Sequence, residues 1–113
     1  MKIVGVGIDI VELKRIKRVK QKSRLAEFFF AKEELNDLKN STNSVEFLGS
    51  RIALKEAVIK SSPNNLHYHD FILYKEKNKM EVRFVDKKYK KYKVFLSLTH
   101  EFKYAIGYAI MTL

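Results

Sequence analysis

The 113 residues include no cysteine, no tryptophan and a single proline. Without cysteine there is no disulfide scaffold, no thiol nucleophile and no thiolate metal site, so any metal must rest on oxygen or imidazole ligands. No apolar run approaches the ~20 residues of a membrane helix, and no signal-peptide pattern opens the chain; a cytoplasmic protein without a membrane partner is expected. Acidic residues are also in short supply, 13 Asp+Glu against 23 Lys+Arg, which leaves a formal charge of +10. Such an excess predicts an anionic partner: nucleic acid, an acidic protein, a phosphorylated ligand or an anionic membrane surface. What is abundant is apolar: hydrophobic residues make up 46% of the chain, too many for disorder, and the length suits one core and one domain spanning 1–113.

Pro63, inside Ser61-Ser62-Pro63-Asn64-Asn65, is the strongest loop signal and separates a mostly helical part from a mostly stranded part. Residues 2–10 read as a first strand by period-two alternation. Val4, Val6, Ile8 and Ile10 share one face; Ile3, Gly5, Gly7 and Asp9 share the other, where two glycines let another backbone or a ligand come close. A helix is expected over Val11–Lys22, with Leu13, Ile16 and Val19 on a narrow apolar arc and Arg15, Arg18 and Lys22 on the opposite side. Between positions 14 and 24 lie seven basic residues and no acid. A short helix is expected near 32–39, after Phe28-Phe29-Phe30. Over 44–61 the pattern predicts a central, mostly buried helix, because Val45, Leu48, Ile52 and Ile59 form one apolar stripe, Phe47, Leu54 and Val58 a second, and Gly49, Ala53 and Ala57 a small-residue face. From 70 onward an antiparallel meander is expected, with strands at 70–76, 80–85, 94–99 and 104–112.

Two carboxylates stand in places that need explaining. Asp9 lies near the end of an apolar strand on its glycine face, and Glu56 interrupts the first stripe of the buried helix. A pair of acids with open coordination positions suits Mg²⁺, which also takes water and phosphate oxygens. The structural alternatives are a helix cap for Asp9 and an ion pair with Lys60 at i+4 for Glu56. Ser97-Leu98-Thr99-His100 ends a strand, with two hydroxyls and an imidazole that could bind phosphate oxygens, although solvated polar residues are the commoner reading of such a strand end; no nucleophile-elbow turn surrounds Ser97. His67 and His69 have metal-ligand spacing but no third ligand in view. The lysine run 87–93, with Tyr89 and Tyr92, reads as a solvated loop or a nucleic-acid surface.

These pieces occur in a recognisable order: Gly7-Ile8-Asp9-Ile10-Val11-Glu12, then Arg15-Ile16, Phe30-Ala31-Lys32-Glu33-Glu34-Leu35, Arg51-Ile52-Ala53-Leu54-Lys55-Glu56-Ala57-Val58-Ile59-Lys60, and Ser97-Leu98-Thr99-His100-Glu101. Across essentially its whole length the chain resembles the short, bacterial-type holo-[acyl-carrier-protein] synthases, the small 4′-phosphopantetheinyl transferases. The resemblance implies an α+β fold, an antiparallel sheet packed on a long central helix. It implies transfer of 4′-phosphopantetheine from coenzyme A to a serine of apo-acyl carrier protein, with release of adenosine 3′,5′-bisphosphate. It also implies homotrimers with active sites between subunits. Asp9 and Glu56 match Mg²⁺-binding acids. Arg51, Lys55, Lys60, Thr99 and His100 match positions associated with coenzyme A phosphates, and Lys60 is the cation placed to stabilise the leaving group. Arg15 and Arg24 match the carrier-binding helix, and Arg18 and Lys22 extend that stripe. The second candidate, a small basic nucleic-acid-binding module, explains the charge but not Asp9 and Glu56.

Two departures from the family pattern stand out. A glycine-containing loop usually follows the second lysine, whereas Ser61–Asn65 has no glycine. Ala31 stands where a Thr often caps the next helix, a loss of about 1 kcal/mol.

Overall fold

The computed structural model describes residues 1–113. Strand β1 (Ile3–Glu12) leads through three short helices, α1 (Leu13–Arg18), α2 (Lys22–Phe29) and α3 (Lys32–Lys39), to the long helix α4 (Ser44–Ser61). Strands β2 (Phe71–Glu76), β3 (Lys79–Phe84), β4 (Lys93–His100) and β5 (Tyr104–Thr112) follow, with a 3-10 turn at Lys87–Tyr89. The α+β class, with antiparallel sheet on a long helix, is as expected.

The strands form two sheets instead of one meander. β1 and β4 flank β5 in a three-stranded antiparallel sheet, and β2 and β3 form a separate hairpin. The hairpin closes on Lys77 and Asn78, both at positive φ (49° and 64°), the backbone that the tightest two-residue turns require. Between β3 and β4 the chain leaves the sheet through the 3-10 turn, capped by Asp86 and anchored by buried Tyr89.

The helix expected over Val11–Lys22 is not continuous. β1 stays paired to β5 through Val11↔Ala105 and Glu12↔Tyr104, so these residues remain extended. α1 then lasts six residues and stops at an extended Val19. Repulsion among its closely spaced cations, with no acid to offset it, weakens a helix already too short to sustain itself. Lys22 opens α2 and turns its ammonium back onto the carbonyls of Lys17 and Val19 at 3.1 and 2.9 Å. The stripe Arg15–Arg18–Lys22 is therefore split across two elements.

α4 lies against one face of the three-stranded sheet, and its small-residue face makes the contact. A Cβ on Gly7 would strike the carbonyl oxygen of Ala57, and one on Gly107 would press on the Ala53–Leu54 backbone at 2.7–2.8 Å. One apolar core gathers Leu54, Val58, Phe71, Leu73, Phe84 and Met111 between α4 and the sheets. A second gathers Ile16, Ala26, Phe30, Leu48 and Ile52 under the short helices. The other face of the three-stranded sheet has no cover. Val6, Ile8 and Ile10 are 54%, 58% and 58% exposed. The register aligns Val6 with Ile110 and Phe95, Ile8 with Tyr108 and Ser97, and Ile10 with Ile106 and Thr99.

Candidate functional site

Asp9 pairs across the sheet with Gly107, on the helix-covered side, and the missing side chain there leaves it facing the last turns of α4. Lys60, in the final turn, lies 3.1 Å from Asp9 Oδ1 and donates to the Ile8 carbonyl at 3.0 Å. One turn earlier, Glu56 is half-buried and accepts a hydrogen bond from Tyr68 Oη at 2.6 Å. Tyr68 comes from the loop between α4 and β2. Its phenol is pushed up to about 12, first because its proton is donated to Glu56, then by burial and by the charges of Glu56 and Asp9. Lys60 stands one turn beyond Glu56 on α4 and pairs with Asp9, so both acids lie where β1 meets the C-terminal half of α4.

Neither structural alternative for the two acids holds. Glu12, not Asp9, precedes α1, and no side chain caps that helix. Lys60 pairs with Asp9 and leaves Glu56 to Tyr68. The two carboxylates, one already holding a cationic group in Lys60, have the hardness and charge that suit Mg²⁺. No three His, Asp or Glu side chains gather in a metal-binding group anywhere in the chain, so this site offers two carboxylates and no third protein ligand of that kind. His69 instead lies 3.2 Å from the Glu27 and Phe28 carbonyls at the end of α2.

A second group lies across a groove of about 1150 Å³ between the start of α4, the β2–β3 hairpin and β4. Arg51 stacks over Phe47 at 4.3 Å, and His100 Nε2 lies 3.1 Å from Glu46 Oε1. Burial lowers the Arg51 pKa, against the opposing charges of Asp37 and Glu34. Arg51 Nη1 and Ser50 Oγ are buried without a hydrogen-bond partner in this chain. Thr99 is on the uncovered sheet face, opposite the side that holds Asp9.

Lys55 does not join either group. It is fully buried, 3.1 Å from Glu34 Oε1, and donates to the carbonyls of Tyr68 and Phe71 at 2.6 Å each. All three ammonium protons are engaged, so the expected phosphate contact at Lys55 is not available. Burial draws its pKa down while Glu34 opposes the shift. Glu34 and Tyr68 have no assigned role in the sequence reading. Glu34 occupies the third helical position after Ala31 and bonds the Ala31 amide at 3.0 Å, the half of a capping box that survives the loss of a Thr hydroxyl. The signal for it was a lysine inside a buried helix, which requires a counter-charge.

Of the expected docking cations, Arg15 and Arg18 are exposed on α1, and Arg24 on α2 bonds Gln21 Oε1 at 3.1 Å. In the 87–93 run, Lys88 covers the Tyr89 ring at 5.1 Å and Lys91 covers Tyr92 at 5.3 Å. Tyr89 is only 8% exposed, so it offers no stacking platform for a base.

Comparison with known proteins follows the same outline. Residues 5–109 match the 4′-phosphopantetheinyl transferase superfamily. The holo-[acyl-carrier-protein] synthase of Clostridium kluyveri is 37% identical over 124 aligned positions, covering 96% of this chain and 90% of that protein. The crystal structure of the Neisseria meningitidis holo-[acyl-carrier-protein] synthase superposes with a TM-score of 0.88 at 25% identity, covering 98% of this chain and 99% of the other. A Bacillus anthracis holo-(acyl-carrier-protein) synthase, solved in complex with CoA (3′,5′-ADP), superposes with a TM-score of 0.83 at 26% identity, covering 98% and 97%.

Proposed function

This chain belongs to the 4′-phosphopantetheinyl transferase superfamily, and we propose that it is a single catalytic domain that moves 4′-phosphopantetheine from coenzyme A to a serine of an apo-acyl carrier protein. The observation that supports this reading is the Asp9–Lys60 pair at 3.1 Å, one turn of α4 from Glu56, where β1 joins α4. The acceptor serine oxygen attacks the β-phosphorus of the coenzyme A pyrophosphate, and adenosine 3′,5′-bisphosphate leaves. Charge grows on the pyrophosphate oxygens, so electrostatic stabilisation dominates, as in phosphoryl transfer generally.

Asp9 and Glu56 are the residues that would hold a Mg²⁺, which when bound supplies positive charge to those oxygens. Lys60, with its side chain 52% exposed, can leave Asp9 and turn to the leaving phosphate. Glu56 or a water accepts the serine proton. Arg51 and His100, in their groove, and Thr99, on the outer sheet face, are the groups proposed for the other phosphate of coenzyme A. Arg15, Arg18 and Arg24 present free cations to an acidic carrier protein.

Thr99 and Asp9 face opposite sides of one sheet, so one chain does not bring the whole set together. A homotrimer in which the uncovered apolar face meets a neighbouring copy would do so. The proposed setting is the cytoplasm; no helix is long and apolar enough to cross a membrane.

The test is incubation with apo-carrier protein, coenzyme A and Mg²⁺, followed by intact mass of the carrier. The expected result is a gain of one phosphopantetheine, lost in Asp9→Ala and Glu56→Ala variants that still fold. Full activity in either variant at low Mg²⁺ rules out the metal assignment. An unmodified carrier with wild-type protein rules out the activity.

A further inference from the structure

Tyr68 stands outside every motif that led to the site, yet it is the only side chain that hydrogen-bonds Glu56. Its position is fixed from several directions. Lys55, the residue before Glu56 on α4, holds the Tyr68 carbonyl at 2.6 Å. On one side of it in the loop, the His67 amide donates to Asp70 at 2.7 Å; on the other, the His69 ring is anchored to the end of α2. The phenol ring rests on Phe29 at 4.6 Å and Phe28 at 5.5 Å between centroids. Two consecutive residues of α4 thus bind one loop residue, Lys55 its backbone and Glu56 its hydroxyl. The loop is held by groups that have no part in transfer, and the Tyr68 hydroxyl is aimed at the Glu56 carboxylate.

We propose that Tyr68 is a positioning residue, whose hydroxyl fixes one oxygen of Glu56 so that the carboxylate is oriented in advance toward a divalent cation shared with Asp9. This rests on the reading of Asp9 and Glu56 as the metal-holding pair. A carboxylate on a helix samples several rotamers when unrestrained, and each loses affinity by the fraction of time it points elsewhere. A short hydrogen bond from a clamped phenol removes that freedom, and partners of this kind typically govern metal affinity by 10–100-fold. The hydroxyl also occupies one lone-pair direction of Oε1, leaving Glu56 to meet the metal through the rest of its carboxylate.

The experiment is calorimetric titration of the metal alone, Mn²⁺, into wild-type protein, Tyr68→Phe and Glu56→Gln, with thermal melting of each in the presence and absence of Mn²⁺. Tyr68→Phe keeps the ring and its packing on Phe28 and Phe29. The expected result is a metal affinity about tenfold weaker in Tyr68→Phe, a smaller metal-induced rise in Tm, and little change in the metal-free Tm. Transfer by Tyr68→Phe should recover as metal concentration is raised, with KM for coenzyme A unchanged. Wild-type affinity in Tyr68→Phe alongside loss in Glu56→Gln overturns the role of Tyr68 and leaves the metal pair standing. Wild-type affinity in both variants overturns the pair and the role together. A fall in Tm of equal size with and without metal, at unchanged affinity, also overturns the proposal, because it marks a purely structural hydroxyl.

Discussion

Lys55 and Lys60 are one and a half turns apart on the same helix and do opposite things. Lys60 is at the mouth of the site, half exposed and paired with Asp9. Lys55 is fully buried over the Phe71 ring, where it draws Glu34, the Tyr68 carbonyl and the Phe71 carbonyl onto one ammonium. Glu34 in turn accepts the amides of Ala31 and Leu73, so this pair ties α3, α4, β2 and the Tyr68 loop together. Removing one member leaves the other charge buried without compensation, a loss of about 3–5 kcal/mol. Lys55→Met should therefore lower stability by that amount in urea unfolding. Lys55→Met combined with Glu34→Gln should recover part of it, because the stranded carboxylate is gone. A Lys55→Met variant within about 1 kcal/mol of wild type would mean that the pair is dispensable, as some buried pairs are.

At the scale of elements, the contact between α4 and β1 is the most demanding. Gly7 meets the Ala57 backbone so closely that a methyl group has no room, and the obstacle is a carbonyl oxygen with no rotamer to yield. Gly7→Ala should cost about 1–3 kcal/mol, as overpacking usually does. By pushing β1 from α4 it should also disturb the Asp9–Lys60 contact, so transfer activity should fall further than stability. Val6→Ala, one residue away on the uncovered face, serves as the comparison and should leave the folded monomer's α4 contact untouched. This interface was legible in the sequence, because the glycines alternated along β1 and the small residues recurred every fourth position in α4. The bounds of α4 were legible for the same reason of periodicity. The late start of α1 at Leu13 was not, since it depends on a distant strand, β5, extending its pairing to Glu12. Likewise Asp9 and Glu56 could be singled out as misplaced acids, whereas the hydroxyl of Tyr68 could not, because a tyrosine in a loop carries no pattern that predicts its partner. Lys55 was matched to a coenzyme A phosphate position, and its burial against Glu34 was not legible, because a motif position records residue type and leaves direction open.

For the whole molecule, the uncovered sheet face connects stability to function. Three cross-strand rows, centred on Ile8–Tyr108–Ser97 and flanked by Val6–Ile110–Phe95 and Ile10–Ile106–Thr99, expose a largely apolar surface, with Ser97 and Thr99 at its β4 edge, of the kind that marks an association site. Burying it against a second copy gains the hydrophobic term at roughly 25 cal/mol per Å² of apolar area, and it brings the neighbour's residues beside Thr99. The charge of +10 argues against non-specific association, since like-charged chains repel, so a specific apolar interface has to overcome that repulsion. Ile8→Glu places a carboxylate at the centre of this face and should leave the α4 side of the sheet alone. Light scattering should report about three times the 13.3 kDa chain mass for the wild type and a single chain mass for Ile8→Glu. If the sites are shared between copies, the variant should keep its metal affinity at Asp9 and Glu56 and lose transfer to the carrier protein. A monomeric Ile8→Glu with wild-type transfer would show that each chain holds a complete site. A wild type that is itself a clean, active monomer would refute both the trimer and the shared site, and would leave the apolar face open to another partner.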